Sequence, residues 1–406
     1  MEYKGIDYLK RKLRDKRRRV DLRYRFYDMK NYAVDFGIST PPELRNWFSS
    51  LGWCAKAVDS LADRLVFREF ANDTFDMGGV FAMNNPDVLT DSAILGALIS
   101  ACDFIYISQD EGGFPRLEVV DGSRATGIID PQTGLLIEGY AVLEETEYKE
   151  PTVEAYFTAG RTDFYYHDVN GNVTVDTIEY VTDYPLLVPI VFRPDAKRPF
   201  GHSRISRACM SLTESALRTL KRSEITSEFY SFPQKWVSGL ASDVEIDAWR
   251  ANISSMLTIT KDADGEKPTF GQFSQQSMEP HVSELKMIAS LFAGETGLTL
   301  DDLGFMTDNP ASAEAIKAGH ETLRLTARKA QRTFGTGLLN VGYLGACLRD
   351  NQNYRRNQIY YTTPKWQPIF EPDAGMLSGI GDGLIKFAQA VPDYDVQRLI
   401  DELTGF

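Results

Sequence analysis

The chain has 406 residues and a mass of 45.7 kDa, beyond the roughly 250–300 residues at which a single core stops growing, so two or more substructures are expected. Its 43% hydrophobic, 25% charged and 12% aromatic residues exclude a disordered chain. No apolar run approaches the about 18 residues of a membrane span, and the charged start lacks a secretory apolar core, which predicts a soluble protein made in the cytoplasm with no membrane partner.

Net charge is −13 and the pI is near 5.0, a balance that at first sight argues against a nucleic-acid partner. The distribution softens that objection, because residues 1–25 hold eleven Lys/Arg against four acids and carry +7, leaving −20 on the rest. The segment from Tyr8 to Arg25, LKRKLRDKRRRVDLRYR, has apolar residues at Leu9, Leu13 and Val20. It reads either as a helical arm or as a solvated, frayed terminus. After Pro41 and Pro42, the residues Leu44, Trp47, Leu51, Cys54, Val58, Leu61 and Leu65 recur at helical spacing and predict a helix starting near Leu44.

From about Phe104 to Phe192 short β-branched and aromatic stretches take over: FIYIS, LEVVD, GLLIEGYAVL, VEAYF, TDFYYH, NVTVDTIEYV and LLVPIVF. With turn chemistry at Asp130–Gly134 and Asn170–Gly171, they predict a meandering antiparallel sheet. A long helix follows from Gly201 to Tyr230, with Ser203 as its cap, Ile205, Cys209, Leu212, Ala216 and Leu220 on one stripe, and Pro233 closing it. Between Phe232 and Phe273, the strand-like KWVSGL, the helical DVEIDAWRANISSM, the strand-like MLTIT and the polar KDADGEKP predict a small αβ insertion.

A second helix is expected from about Met278 to Ala293, carrying Val282, Leu285, Ile288, Ala289 and Phe292 on one side, so two helices bracket the insertion as a stalk with a tip. Beyond the loop-rich GETGLTLDDLGFMTDNPAS, one long helix is predicted from Ser312 to about Leu344. Ile316, Leu323, Ala327, Ala330, Phe334, Leu338 and Val341 form its packing face, and Lys317, Arg324, Arg328 and Arg332 a basic one. That basic face suits DNA, an acidic neighbouring subunit or plain solvent. The last stretch predicts an extended piece and two short helices.

Catalytic patterns are weak. There is no Gly-Lys pair, hence no phosphate loop of the GxxxxGK[ST] type. GIGDGL at Gly379–Leu384 has no strand before it and reads as the approach to a helix, and GHSRIS fails the GxSxG pattern. His167, His202, His281 and His320 stand far apart, and Cys54, Cys102, Cys209 and Cys347 match neither a disulfide framework nor a zinc site and read as core residues. Asp301 and Asp302 suggest a metal pair only weakly, since adjacent residues of an extended segment point apart; a loop or helix-start role is favoured. No cofactor, metal or catalytic residue is expected.

Four stretches together resemble the portal proteins of long-tailed phages: NWFSSLGWCAKAVDSLADRL, PFGHSRISRACMSLTESALRTLKRSEITSEFYSFPQKWVSGL, ELKMIASLFAGETGLTLDDLGFMTDNPASAEAIKAGHETL and PKWQPIFEPDAGMLSGIGDGLIKFAQAVP. Each is soft alone; their order and spacing carry the likeness. The resemblance implies an α+β subunit with a basic arm over 1–40, a wing of helices and antiparallel sheet over 41–200, stem helices at 201–231 and 275–297, a small αβ clip at 232–274, a tunnel loop and long helix at 298–350, and a short C-terminal wing or crown at 351–406. It further implies a closed homo-oligomeric ring, normally a dodecamer, at one capsid vertex of the virion, assembled in the host cytoplasm and conducting double-stranded DNA without sequence specificity.

On the same resemblance, Thr307, Asp308, Asn309 and Pro310 form the channel loop, Lys317, Arg324, Arg328 and Arg332 face DNA or a neighbouring subunit, and Lys235, Trp236, Asp243, Glu245, Trp249 and Arg250 belong to the docking clip. The implied partners are the terminase large subunit as ATPase, then the head–tail adaptor, together with the major capsid protein and a scaffold protein. An acidic ring would keep phosphates from sticking while sparse cations guide the duplex. The alternatives are a DNA-processing enzyme such as a metal-dependent nuclease and a capsid or tail component without a channel.

Overall fold

The near-continuous apolar run AILGALIS at Ala93–Ser100 has no polar face to offer solvent, and it becomes the centre of the molecule. In a computed structural model, which describes residues 3–33, 48–168, 171–231, 235–238, 269–272, 277–305, 313–370, 381–386 and 389, this run ends helix α4 (Pro86–Ser100). Before it come α1 (Ile6–Tyr27), α2 (Trp53–Ala62), β1 (Phe67–Ala71) and α3 (Met77–Ala82). The predicted start of the second helix near Leu44 is corrected: residues 48–52 are not helical, α2 begins at Trp53, and 34–47 lie outside the described residues.

The strands do not form one meander. β2 (Cys102–Gln109), β3 (Pro115–Val120) and β9 (Leu187–Val191) make a three-stranded antiparallel sheet in the order β3-β2-β9, and β4 (Ala125–Ile129), β5 (Leu136–Glu145), β6 (Pro151–Thr158), β7 (Arg161–His167) and β8 (Val173–Glu179) a separate five-stranded meander. Period-two patterning shows where each face goes. Ala141, Ala155, Phe157 and Phe164 pack with Phe104 and Leu187 between the sheets, while Tyr140 and Val142 meet Leu9 and Leu13 of α1 on the opposite face. The expected turn at Asp130–Gly134 is present, with Gly134 at φ 74° and Asp130 accepting from Gln132 N–H and the Thr133 hydroxyl.

The basic segment is therefore helical, as the first alternative had it, and not a frayed terminus. α1 lies across β4 and β5, and five of its ten lysines and arginines are engaged inside the subunit. Lys10 pairs with Glu154 at 2.6 Å, Arg17 with Glu145 at 2.7 Å, Lys12 donates to the Gly127 carbonyl at 2.6 Å and Arg23 to that of Ser100 at 2.7 Å. The Lys16 ammonium reaches the Cys102 and Ala125 carbonyls at 3.3 and 3.2 Å and lies 4.7 Å over the Phe104 ring. Burial pushes its pKa down.

Beside Lys16, the buried Asp103 carboxyl accepts from the Ser100 hydroxyl at 2.7 Å and from Gly122 N–H at 2.9 Å. Burial first, and the Asp121 carboxylate second, push it from 3.8 up to about 8. A carboxyl whose pKa folding raises contributes stability that is fully present below its unfolded value and is lost as pH climbs to the folded one. Asp103→Asn is accordingly expected to flatten the dependence of melting temperature on pH between 3.8 and about 8; the wild-type slope persisting in the variant would sink this assignment.

The chain then forms α5 (Arg207–Ser231), β10 (Lys235–Ser238), β11 (Thr269–Gln272), α6 (Glu279–Thr296), α7 (Ala313–Gly319), α8 (Glu321–Arg349) and β12 (Thr363–Trp366), which pairs with β1. Sequence patterning passed over β1, β4 and β11, and reached β12 only as an extended piece. Ser203 does not cap α5. Its hydroxyl donates to the Leu98 and Ile99 carbonyls at 3.3 and 2.6 Å, closing the end of α4, and Ser206 caps α5 by accepting from Cys209 N–H at 3.1 Å. The main core gathers α2, α3, α4, β2, β9 and α8, and the four cysteines are free and buried as expected.

Candidate functional site

Three features stand out of this frame: a stalk, a basic groove, and the junction that joins the stalk to the core. In the stalk, α5 and α6 pack together in opposite directions, with Arg222 on Glu284 at 3.0 Å and the Ser206 hydroxyl on Glu295 at 2.9 Å near the base. Beyond the end of α5, β10 pairs antiparallel with β11, Lys235 opposite Gln272 and Trp236 opposite Gly271. The strand predicted at MLTIT, like Asp243, Glu245, Trp249 and Arg250, lies outside the described residues; the partner of Lys235–Ser238 is Thr269–Gln272.

At the base, Arg204, just ahead of α5, is buried between α2 and the end of α6. Its Nε donates to the Ala57 carbonyl at 3.1 Å and its Nη2 to the Thr296 carbonyl, the last residue of α6 before Gly297 turns left-handed at φ 71°. Burial pushes the guanidinium down to about 10. A cation at a helix C-terminus is favoured by the partial negative charge of the orphan carbonyls there.

The long helix predicted from Ser312 to Leu344 is two helices. His320 breaks it, donating from Nδ1–H to the Ile316 carbonyl at 2.9 Å while Nε2 meets Asp302 Oδ2 at 3.0 Å. Asp302 sits in a short 3-10 turn, Asp301–Leu303, and also accepts from Thr299 N–H and hydroxyl at 2.8 Å. Burial opposes its charge, but the Thr299 hydrogen bonds and His320 outweigh that and hold it below the usual carboxylate range. The loop role expected for this pair is what the structure shows. Among the described residues no group of three or more His, Cys, Asp and Glu is placed to hold a metal ion.

The break divides both predicted faces. Ile316 is 50% exposed on α7, whereas Leu323, Ala327, Ala330, Phe334, Leu338 and Val341 are buried along α8. Lys317 stands on α7 and Arg324 forks onto Glu321 at 2.6 and 2.7 Å, so neither joins the others. Arg328 and Arg332 do come together, with Lys329, on an open groove of about 770 Å³ between α8 and β12, lined also by Leu325, Leu339 and Trp366.

No protein-family model matches the chain. Two curated proteins do: the portal protein of Mycobacterium phage D29, 25% identical over 335 residues, and that of Mycobacterium phage L5, 24% identical over 330, each alignment spanning 76% of this chain and 67% of the relative. By sequence, this chain is similar to phage portal proteins. Among solved structures, this chain aligns with chains of the native gene transfer agent virion (14% identity, TM-score 0.47, covering 93% of this chain and 96% of that one) and of the neck of the native particle computed with C12 symmetry (13%, 0.46, 91% and 93%).

Thr307, Asp308, Asn309 and Pro310, expected to form a channel loop, lie outside the described residues. Of the predicted site residues, Arg328 and Arg332 share a surface; Lys235 and Trp236 share β10. Lys329, Pro364 and Trp366 were missed. Lys329 follows Arg328 at about 100° around the helix and fell between the two stripes, and Trp366 reaches the groove only because β12 pairs with β1. Arg204 was missed altogether, being one of two arginines in PFGHSRISRAC; its only signal was its place beside a helix start.

Proposed function

We propose that copies of this chain form a portal ring at one vertex of a phage capsid, the channel through which double-stranded DNA enters and leaves. The relationship to phage portal proteins across 76% of the chain carries this reading. The α5–α6 stalk supports it as a stem, and the β10–β11 pair as the base of a clip that docks the terminase ATPase and later the head–tail adaptor. The major capsid protein and a scaffold protein are its partners at the shell, and the assembly is a dodecamer. Thr307–Pro310 is assigned to the channel on the resemblance alone.

The electrostatics suit a passive conduit. With a net charge of −13 and five cations of α1 tied to carbonyls and carboxylates within the subunit, a ring of subunits presents phosphates with few places to stick. Motive power then comes from the partner ATPase. End-on electron microscopy of the purified full-length chain is expected to show closed rings with an axial hole, whereas monomers at every concentration, even with capsid and scaffold proteins supplied, would overturn the reading. Arg324→Glu with Arg328→Glu is expected to impair ring assembly or packaging while leaving the melting temperature nearly unchanged, because surface charges contribute only about 0.5 kcal/mol; normal DNA-filled heads would remove the basic face from the account.

A further inference from the structure

Among the described residues β8 is the outermost strand of its sheet, paired to β7 on one side and to no other strand on the other. The layers that cover the sheet end before reaching it: α1 lies over β4 and β5, and the three-stranded sheet touches β5 through β9. All seven residues of β8 are consequently exposed, with Val173, Val175 and Ile178 at 50–53%. Edge strands left in water are normally blunted by lysine, proline or a bulge. Val173–Glu179 has neither residue and pairs with β7 without a register shift. Its charges are acidic, Asp176 and Glu179; Arg161, opposite Glu179, is itself bonded to Asp163 at 2.7 Å.

The groove between α8 and β12 has the opposite character. Leu325, Leu339 and Trp366 give it an apolar floor, Arg328, Lys329 and Arg332 line it with positive charge, and among the described residues no acidic one lines it. From Leu325 to Leu339 the helix rises about 21 Å, and a seven-residue strand spans about 23 Å. Within one chain β8 packs on β7, and α8 on α3, β2, β9 and β12, so each subunit carries both halves on different elements.

We propose that β8 of one copy lies in the α8–β12 groove of the next, Asp176 and Glu179 facing Arg328, Lys329 and Arg332. The contact is heterologous, one surface meeting a different one, which is what closes a ring. The inference rests on the portal-ring reading and assigns the groove a second copy of this chain as its occupant.

The test uses the full-length protein, with ring content read by sedimentation velocity and electron microscopy and folding by thermal melts. Asp176→Arg with Glu179→Arg, and separately Arg328→Glu with Arg332→Glu, are each expected to cut ring content about tenfold or more through like-charge contact. Combining all four changes is expected to restore it. Rings at wild-type level in both double variants, or no recovery in the combination, overturn the proposal. So does a groove variant with normal rings and reduced DNA retention, which would make the duplex the occupant. Because strand middle meets groove middle in either direction, Asp176→Cys with Arg332→Cys supplies a second measurement: oxidation should give a ladder of linked copies, and normal rings without a ladder count against the contact. A wild-type chain that never forms rings would instead remove the portal reading itself.

Discussion

Truncating Phe334 to alanine is expected to destabilise the subunit by about 3–5 kcal/mol, seen as a lower urea midpoint at unchanged slope. Phe334 is 0% exposed and stacks on Phe192 with ring centroids 6.0 Å apart. The cavity would have little means of closing, because α8 is already in contact with its neighbours. A Cβ at Gly337 would come within 2.8 Å of the Ile190 side chain, one at Gly342 within 2.9 Å of Met77, and one at Gly345 within 2.9 Å of Val80. The helix therefore cannot shift inward to fill the void, and most of the lost packing remains lost. A cost below about 1 kcal/mol would show that this helix is less tightly held than its glycine contacts imply.

The second large effect is at Arg204. Methionine keeps much of the side-chain length but no donor, leaving the Thr296 carbonyl at the end of α6 without its partner; the expected cost is about 2–3 kcal/mol. Ala57 already has an intrahelical acceptor role in α2, so its loss adds less. The change should be local. Amide exchange in the last turn of α6 is expected to speed up while α4 and β2 keep wild-type protection, and Arg204→Lys should recover only part of the loss, since an ammonium cannot reproduce the guanidinium fork. Uniform exchange across the subunit would mean that Arg204 supports the whole core and not the stalk junction.

Long amphipathic patterns were the legible part of this fold. The packing face Leu323–Val341 and the stalk helices followed from period 3.6, and seven of the strands from β-branched and aromatic runs. What patterning did not reach was set by contacts distant in sequence. FREFA becomes β1 because it pairs with a strand nearly 300 residues away, and two sheets arise instead of one because Phe104 and Leu187 pack face to face against Phe157. Ser203 looked like a cap because its position before a helix is right; its hydroxyl was taken by carbonyls of α4. For the site, Arg328 and Arg332 were readable from helical spacing, but Arg324 was not separable from them until its fork with Glu321 was seen. The cations of α1 were plain in the sequence and their destination was not.

That destination bears on synthesis. Within this chain α1 is made well before the strands that receive it: Leu9 and Leu13 wait for Tyr140 and Val142, and Lys10 for Glu154. At about 5–20 residues per second, roughly 7–30 seconds separate the helix from its last partner. During that interval a strongly cationic, half-apolar helix is presented to a cytoplasm rich in polyanions, with its own carboxylates not yet translated. Docking then makes long-range contacts late in folding, the kind that slows a chain most. The helix that ends as internal mortar begins as the most adhesive part of the nascent protein.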